Sequence, residues 1–200
     1  RERRAMGIDP LPSSLDEAIR IIADNDIPFS FSHSTHQEID AIAELVNKLK
    51  FKRAFVDHPD QWEAMAADPA LVPGAVEEVL RWVTPLNNMF RRAGADDEVG
   101  GQRIRRGDRI VLLYPSGNRD ESVFADPFTF DIRRDPNPQI AFGFGTHMCV
   151  GTNVARTTLA AVFGQLSRRV TNLRAVTEPD VEPNIFAPAV RSFRLAYDPR

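Results

Sequence analysis

The 200-residue chain is poor in cysteine and lysine, and neither a membrane span nor a nucleic-acid-binding composition is evident in it. Its single cysteine, Cys149, excludes an internal disulfide and is compatible with a reducing cytoplasm, where we expect the protein to be located. No long uncharged apolar run predicts a membrane span, and the arginine-rich start does not lead into a signal-peptide core. With 25 basic and 28 acidic residues the net charge is −3, which argues against nucleic-acid binding. The composition is that of an ordinary globular protein.

Helical periodicity and capping signals predict several helices. We expect helices over 59–67, 72–83 and 153–170, where apolar residues recur at helical spacing and proline is confined to the first turn. A longer helix is predicted to begin at the capping box of Thr35 and Glu38 and to end before Pro59. Residues 1–34 are then a lead-in with one short helix, and residues 35–200 form the main region.

The stretch after residue 88 has the patterns of strands and turns. Val99–Gln102 encloses a Gly-Gly pair, which predicts a two-residue hairpin turn. Strands are predicted over 109–114, 173–177 and 191–197, and the segment 126–138 is rich in proline and aspartate and is expected to be irregular. The predicted fold class is therefore mainly α with a smaller β part.

The cysteine lies in the most distinctive stretch of the chain, just before the helix predicted from residue 153. The free N–H groups and the dipole at a helix N-terminus favour a thiolate, which is a nucleophile or a soft metal ligand. A buried structural cysteine is the alternative. The residues that frame Cys149 are glycines and phenylalanines: Phe142, Gly143, Phe144, Gly145 and Gly151.

Three glycines so close together indicate a tight bend or a close approach to something flat. A dinucleotide-binding fingerprint does not fit, because Met148 occupies the place of its third glycine. A zinc site is poorly supplied, because His147 and Cys149 have no second cysteine to join them. A haem iron with cysteine as its protein ligand fits the thiolate, the bend and the aromatic neighbours.

The stretch resembles the haem-binding loop of the cytochrome P-450 family, Phe-x-x-Gly-x-x-x-Cys-x-Gly, and meets its bacterial form Phe-Gly-x-Gly-x-His-x-Cys in full. The resemblance implies haem b as cofactor and Cys149 as the ligand of its iron. It also implies that Arg92 and His147 pair with the haem propionates, and a solvated charge on an edge strand is the alternative for Arg92. Because family members are longer, the chain resembles their C-terminal half. The other cofactor-binding positions implied are Phe142, Gly143, Phe144, Gly145 and Gly151.

Glu78 and Arg81 lie three residues apart, on one face of the predicted 72–83 helix, and match the Glu-x-x-Arg pattern of the family. By spacing alone this is an ordinary surface salt bridge with little effect on stability. The resemblance implies a buried structural pair completed by a second arginine. The usual position of that arginine is Thr129, so Arg133 or Arg134 is expected to substitute. Arg156, two helical turns beyond the cysteine, is either a contact for an acidic electron-transfer partner or an ordinary solvated arginine.

By resemblance the protein is a monooxygenase that inserts one oxygen atom into a small apolar substrate, such as a sterol or another lipid. Its electron donor would be a ferredoxin or a flavin reductase. The alternative is a truncated, non-catalytic haem-binding or interaction protein, because 39–44 lacks the glycine and threonine of the oxygen-activating helix. Thr35 with Glu38, or Asp40 with Glu44, would have to take the place of the missing pair. The apolar stripe of Ile39, Ile42 and Val46 instead favours an ordinary core helix.

Overall fold

A computed structural model describes residues 52–200 of the chain. The predicted lead-in, the capping box at Thr35, the substitutes Asp40 and Glu44, and all but the end of the long helix lie outside the described residues. The described part contains five α-helices. They are α1 Lys52–Asp57, α2 Pro59–Ala67, α3 Val72–Val83, α4 Tyr114–Gly117 and α5 Thr152–Arg169.

Eight short strands form four separate two-stranded antiparallel sheets in the same part of the chain. The pairs are β1 with β4, β2 with β3, β5 with β8 and β6 with β7. The strands are β1 Asn88–Arg92, β2 Asp97–Val99, β3 Gln102–Ile104, β4 Arg109–Leu113, β5 Val170–Ala175, β6 Asp180–Glu182, β7 Ala189–Ser192 and β8 Leu195–Pro199. The predicted fold class, mainly α with a smaller β part, is confirmed.

The boundaries of α2 and α3 follow from their sequences. Proline occupies the first turn of both helices, where its missing N–H leaves no hydrogen bond unmade. Between them, the Asp68 side chain accepts a hydrogen bond from the amide of Ala70 at 3.0 Å. Helix α3 ends at Val83 and is capped by Thr84, whose φ of 42° is left-handed and whose hydroxyl donates to the carbonyl of Arg81 at 2.7 Å.

An aromatic cluster joins α1, α2 and α5. The Phe55 ring makes edge contacts with Trp62, Phe130 and Phe163, at centroid separations of 5.3, 5.6 and 5.2 Å. All four side chains are buried, so each also contributes on the order of 1.5–3 kcal/mol of apolar burial. The indole N–H of Trp62 donates to the carbonyl of Val170 at 3.1 Å, which fixes the start of β5.

The predicted Gly-Gly turn is confirmed. Val99 pairs with Gln102 across it, and Gly100 and Gly101 have φ values of 56° and 78°. Two consecutive positive φ values are what a type I′ hairpin turn requires, and glycine adopts them without strain.

Three predicted boundaries are wrong by a few residues. Tyr114 is not the last strand residue but begins the one-turn helix α4, because Pro115 fixes φ near the helical value and has no N–H for a strand ladder. Val170 begins β5 instead of ending α5, and this β-branched residue pairs with Pro199. The predicted strand 191–197 is divided between β7 and β8 by the buried Phe193.

Within residues 52–200, no helix is both long enough and apolar enough to cross a membrane.

Candidate functional site

The cysteine loop, residues 142–151, is a compact bend that places an exposed thiol ahead of α5. The amide of Cys149 donates to the carbonyl of Phe142 at 2.9 Å, and the amide of Gly143 donates to that of Ile140 at 2.8 Å. The Thr152 hydroxyl donates to the Cys149 carbonyl, so the loop is joined to the first residue of α5. Cys149 itself is exposed, which excludes a buried structural cysteine.

Two glycines are required where the loop bends. Gly143 has φ 75°, and a Cβ there would lie 3.2 Å from the Tyr114 hydroxyl and 3.7 Å from the His147 carbonyl. A side chain at Gly143 would therefore be both strained and crowded. Gly145 has φ 74° in open space, so there the backbone conformation alone requires glycine.

Large apolar side chains are exposed around the thiol. Phe144 is 86% exposed, and Met148, Val150 and Val154 are also exposed. Water-facing apolar groups concentrated in one short segment are typical of a surface that a ligand or partner covers. The segment thus offers sulfur and apolar contact surface together.

The loop contains only two side chains that commonly ligate metals, His147 and Cys149. Among residues 52–200 no group of three or more His, Cys, Asp and Glu side chains is close enough to hold a metal ion. A zinc ion needs three or four protein ligands, so this part of the chain does not form a zinc site. One exposed thiol and an apolar surface fit a planar iron macrocycle, which brings its other ligands with it.

Helix α3 carries a fully buried ion pair between Glu78 and Arg81. Both guanidinium nitrogens of Arg81 that face Glu78 donate to its carboxylate at 2.7 Å, and both side chains are 0% exposed. The remaining Arg81 donors bond to main-chain carbonyls of Asn118, Pro127 and Thr129. This pair therefore ties α3 to the irregular segment 118–137.

A second arginine completes the pair. Of the two candidates, Arg134 reaches Glu78, with its Nε 3.3 Å from the carboxylate and its side chain only 10% exposed. The amide side chain of Asn137 and the main-chain N–H of Asp131 also donate to Glu78, at 3.0 and 2.9 Å. The carboxylate is thus satisfied on both oxygens, as a buried charge must be.

The preceding glutamate forms a separate cluster. Glu77 accepts from Arg156 at 2.5 and 2.9 Å and from the side-chain amide of Gln139 at 2.9 Å. Burial raises the pKa of the Glu77 carboxyl, but the hydrogen bonds from Arg156 and Gln139 outweigh it and hold that pKa below its usual value. Arg156 is therefore neither free nor simply solvated, and its guanidinium lies 5.1 Å from the centre of the Phe142 ring.

Sequence reasoning missed Glu77, Gln139 and Asn137. The sequence did offer a candidate partner for Glu77. This glutamate lies on a predicted helix, and Arg156 lies seven residues after the cysteine. Gln139 and Asn137 carried none, since they lie in irregular backbone whose course the residue pattern does not define.

Arg92, predicted to bind a propionate, lies at the end of β1 and is exposed. Its Nε donates to the carbonyl of Gly107, in the turn before β4, at 3.3 Å. Arg91 alternates with it and is on the opposite face of the strand. His147, the other predicted propionate ligand, is exposed at the end of a single 3-10 turn, Gly145–His147.

Comparison with known proteins identifies the fold. The sequence profile described as Cytochrome P450 matches residues 37–187. A steroid C26-monooxygenase of Mycobacterium tuberculosis (strain CDC 1551 / Oshkosh) is 41% identical over 143 residues, which are 70% of this chain and 38% of that protein. The chain thus spans well under half the length of this relative.

Solved structures give the same result. Cytochrome P450 CYP109Q5 from Chondromyces apiculatus superposes with a TM-score of 0.69 at 36% identity, over 75% of this chain and 39% of that one. Mycobacterium marinum cytochrome P450 CYP268A2, in complex with pseudoionone, gives 0.69 at 40% identity, over 72% and 35%. These matches confirm the predicted fold, a part of the P450 architecture, and the chain belongs to the cytochrome P450 family.

Proposed function

We propose that this chain is the haem-binding part of a haem-thiolate monooxygenase, with Cys149 as the iron ligand and haem b as the cofactor. The observation that carries the proposal is the exposed thiol at the end of a tight glycine bend. Membership of the P450 family supports it independently, because the family implies haem.

Each loop residue has a role that follows from its geometry. Gly143 and Gly145 let the main chain turn without a side chain on the ligand-facing bend, and Phe144 offers an exposed apolar ring to the macrocycle. The half-buried Phe142 ring anchors the start of the loop through Arg156. His147 and Arg92 are the donors we assign to the propionates, since an imidazole and a guanidinium both hydrogen-bond to carboxylates.

The thiolate has an electronic function. Haem iron, when bound, supplies the site at which dioxygen is activated and one oxygen atom is inserted into a substrate, and a cysteine ligand favours O–O cleavage. The residues of this chain hold Cys149 in place. The hydrogen bond from the Cys149 amide to Phe142 fixes the main chain at the ligand, and Thr152 anchors the carbonyl.

The substrate class we assign is small and apolar, and the relatives support a sterol or a related lipid. Three steroid C26-monooxygenases of mycobacteria are 41–43% identical to the chain over about 70% of its length. The electron donor we assign is a ferredoxin or a flavin reductase. The first of these relatives is only 38% covered by the chain, so its pocket and its activity involve residues beyond those compared.

A non-catalytic haem-binding protein is the second candidate. Residues 39–44, where the oxygen-activating motif is expected, lack its glycine and threonine. Those residues lie outside the described part of the chain, so the choice between the two candidates depends on turnover.

Reduction of the purified, haem-loaded chain under carbon monoxide tests the ligand. We expect the Soret band to shift to the red, as a thiolate ligand requires, and Cys149→Ala to abolish that shift. Met148→Leu is the matched control, because it removes the adjacent sulfur, keeps the volume and is expected to leave the band unchanged.

The outcomes separate the candidates. Failure of the wild-type chain to bind haem overturns both, and an unshifted band overturns the ligand assignment. A shifted band with product from a steroid substrate, in the presence of a ferredoxin and its reductase, supports the monooxygenase. A shifted band without turnover of any steroid or lipid supports the non-catalytic alternative.

A further inference from the structure

Adjacent glutamates on α3 hold two different parts of the structure. Successive helical residues point about 100° apart, so Glu77 and Glu78 face different neighbours. Glu78 is fully buried against the segment 118–137 through Arg81 and Arg134. Glu77 is instead hydrogen-bonded to Gln139 and Arg156, which flank the cysteine loop along the chain.

The partners of Glu77 lie on opposite sides of the cysteine loop along the chain. Gln139 precedes the loop and Arg156 follows it, on the second turn of α5. Both donate to the same carboxylate, and Arg156 does so with two nitrogens. A single side chain of α3 is therefore bonded to the chain entering the loop and to the helix leaving it.

Further contacts transmit this attachment to the loop backbone. The Gln139 side-chain oxygen accepts from the amide of Ala141 at 2.7 Å, and the Arg156 guanidinium lies over the Phe142 ring. The carbonyl of Phe142 in turn accepts from the amide of Cys149 at 2.9 Å. A continuous set of contacts thus leads from Glu77 to the residue that bears the thiol.

We propose that Glu77, through Gln139 and Arg156, is a positioning residue that clamps both ends of the cysteine loop and holds the Cys149 sulfur in place. The clamp does not require haem. Its role in positioning an iron ligand rests on the function proposed above. Global stability depends little on it, because the Glu77 and Arg156 side chains are 27% and 40% exposed.

Hydrogen exchange of the full 200-residue chain, measured without added haem on a peptide covering residues 142–151, tests the clamp. In Glu77→Gln and in Arg156→Gln we expect exchange of the Cys149 and Gly143 amides to accelerate about fivefold, the effect of losing one partly exposed pair. Arg156→Lys keeps the charge and should recover part of the protection.

Arg174→Gln is the matched control. It breaks a similarly exposed ion pair with Asp198, between β5 and β8, away from the loop in sequence. Unchanged loop exchange in the Glu77 and Arg156 variants, or equal acceleration in the Arg174 variant, overturns the clamp.

A spectroscopic arm then tests the link to the ligand. In the haem-loaded, reduced, carbon-monoxide-bound chain, Glu77→Gln should lower the fraction of the red-shifted Soret band, and Arg174→Gln should not. If exchange of the loop amides accelerates but the fraction of the red-shifted Soret band is unchanged, the clamp is supported and its role in positioning the iron ligand is overturned. Absence of haem binding by the wild type overturns the proposed function and leaves the exchange result to decide on the clamp.

Discussion

At the scale of single residues, burial separates side chains that look alike in sequence. Glu78 and Arg81 are 0% exposed and each is fully hydrogen-bonded, whereas Arg174 and Asp198 form a pair that is about half exposed. Removing one partner of a buried pair leaves the other charge without compensation in a medium of low dielectric. The two pairs should therefore respond very differently to the same chemical change.

Glu78→Gln is expected to destabilise the chain by about 3–5 kcal/mol, because Arg81 loses its counter-charge in the core. Asp198→Asn should cost less than about 1 kcal/mol, because water screens that pair. Urea unfolding followed by circular dichroism measures both. Equal losses in the free energy of unfolding of the two variants would contradict the structural role assigned to the buried Glu78–Arg81 pair.

The sequence alone predicts some of these side-chain contacts and misses others. The position of the Cys149 loop and the contact of Glu78 with Arg81 follow from local spacing, because both patterns lie within a few residues of the chain. The burial of the Glu78–Arg81 pair was expected only from the resemblance to the family. The choice of Arg134 over Arg133 does not follow, since irregular backbone decides which side chain turns inward. Gln139 escaped prediction for the same reason.

At the scale of elements, helix α3 approaches the segment after Phe130 at Gly74. A Cβ on Gly74 would lie 2.5 Å from the main-chain oxygen of Ile132, whose own amide is held by the Gln61 side chain at 3.1 Å. Ile132 is buried, so its backbone cannot move aside freely. The close contact of α3 with this segment therefore depends on the missing side chain.

Gly74→Ala is expected to destabilise the chain by about 1–3 kcal/mol, despite the higher helix propensity of alanine, because of this overlap. Gly94→Ala is the control, since nothing lies within 4 Å of a Cβ there. Thermal unfolding of the two variants gives the comparison. Stabilisation by Gly74→Ala would show that helix propensity outweighs the contact.

The α3–α5 contact also predicts a pH dependence. Because hydrogen bonds from Arg156 and Gln139 hold the pKa of Glu77 below its ordinary value of 4.5, the folded state binds that proton less readily than the unfolded state. The contribution of Glu77 is thus fully present above pH 4.5 and is lost as the pH falls below that value through the lowered pKa.

Urea midpoints measured from about pH 6 down to about pH 3 test this direction. The wild-type chain should lose more stability in acid than Glu77→Gln, which has no proton to take up at that position. The difference should be about 1 kcal/mol or less, because the pair with Arg156 is partly exposed. Parallel curves for the two proteins would contradict the assignment.

The helices could be predicted from the sequence where apolar residues recur at helical spacing. The helices α2 and α3 have their predicted bounds, because proline marks their starts and apolar periodicity runs through them. The boundary between α5 and β5 is set by pairing of Val170 with Pro199, 29 positions further along, and local propensity does not contain that contact. The strand pairing of β5 with β8 is non-local for the same reason.

At the scale of the whole molecule, the described part exposes many large apolar side chains, including Phe144, Ile185 and Phe90. It also spans only part of its relatives' length. A ligand that covers some of this surface and binds only the folded state must raise the melting temperature by mass action.

Haem at about 100 times its dissociation constant is expected to stabilise the chain by about 2.7 kcal/mol, or about 5–10 °C for a chain of this size. Iron-free protoporphyrin IX is the control, because it covers the same apolar surface and cannot accept the sulfur. At the same ligand concentration the shift with protoporphyrin should be smaller, and the shift of Cys149→Ala with haem should match it. Equal shifts for haem and protoporphyrin in the wild type would contradict a bond from sulfur to iron.

The adjacency of Glu77 and Glu78 has a consequence for protein engineering. One residue inserted between them would turn the rest of α3 by about 100°, so the helix could serve either the cysteine loop or the segment 118–137, but not both. The Gly100–Gly101 turn has open space around both glycines, so an insertion there meets no neighbouring atoms. A peptide tag or a fluorescent label therefore belongs in that turn and not in α3, where an added residue would break one of the two sets of contacts.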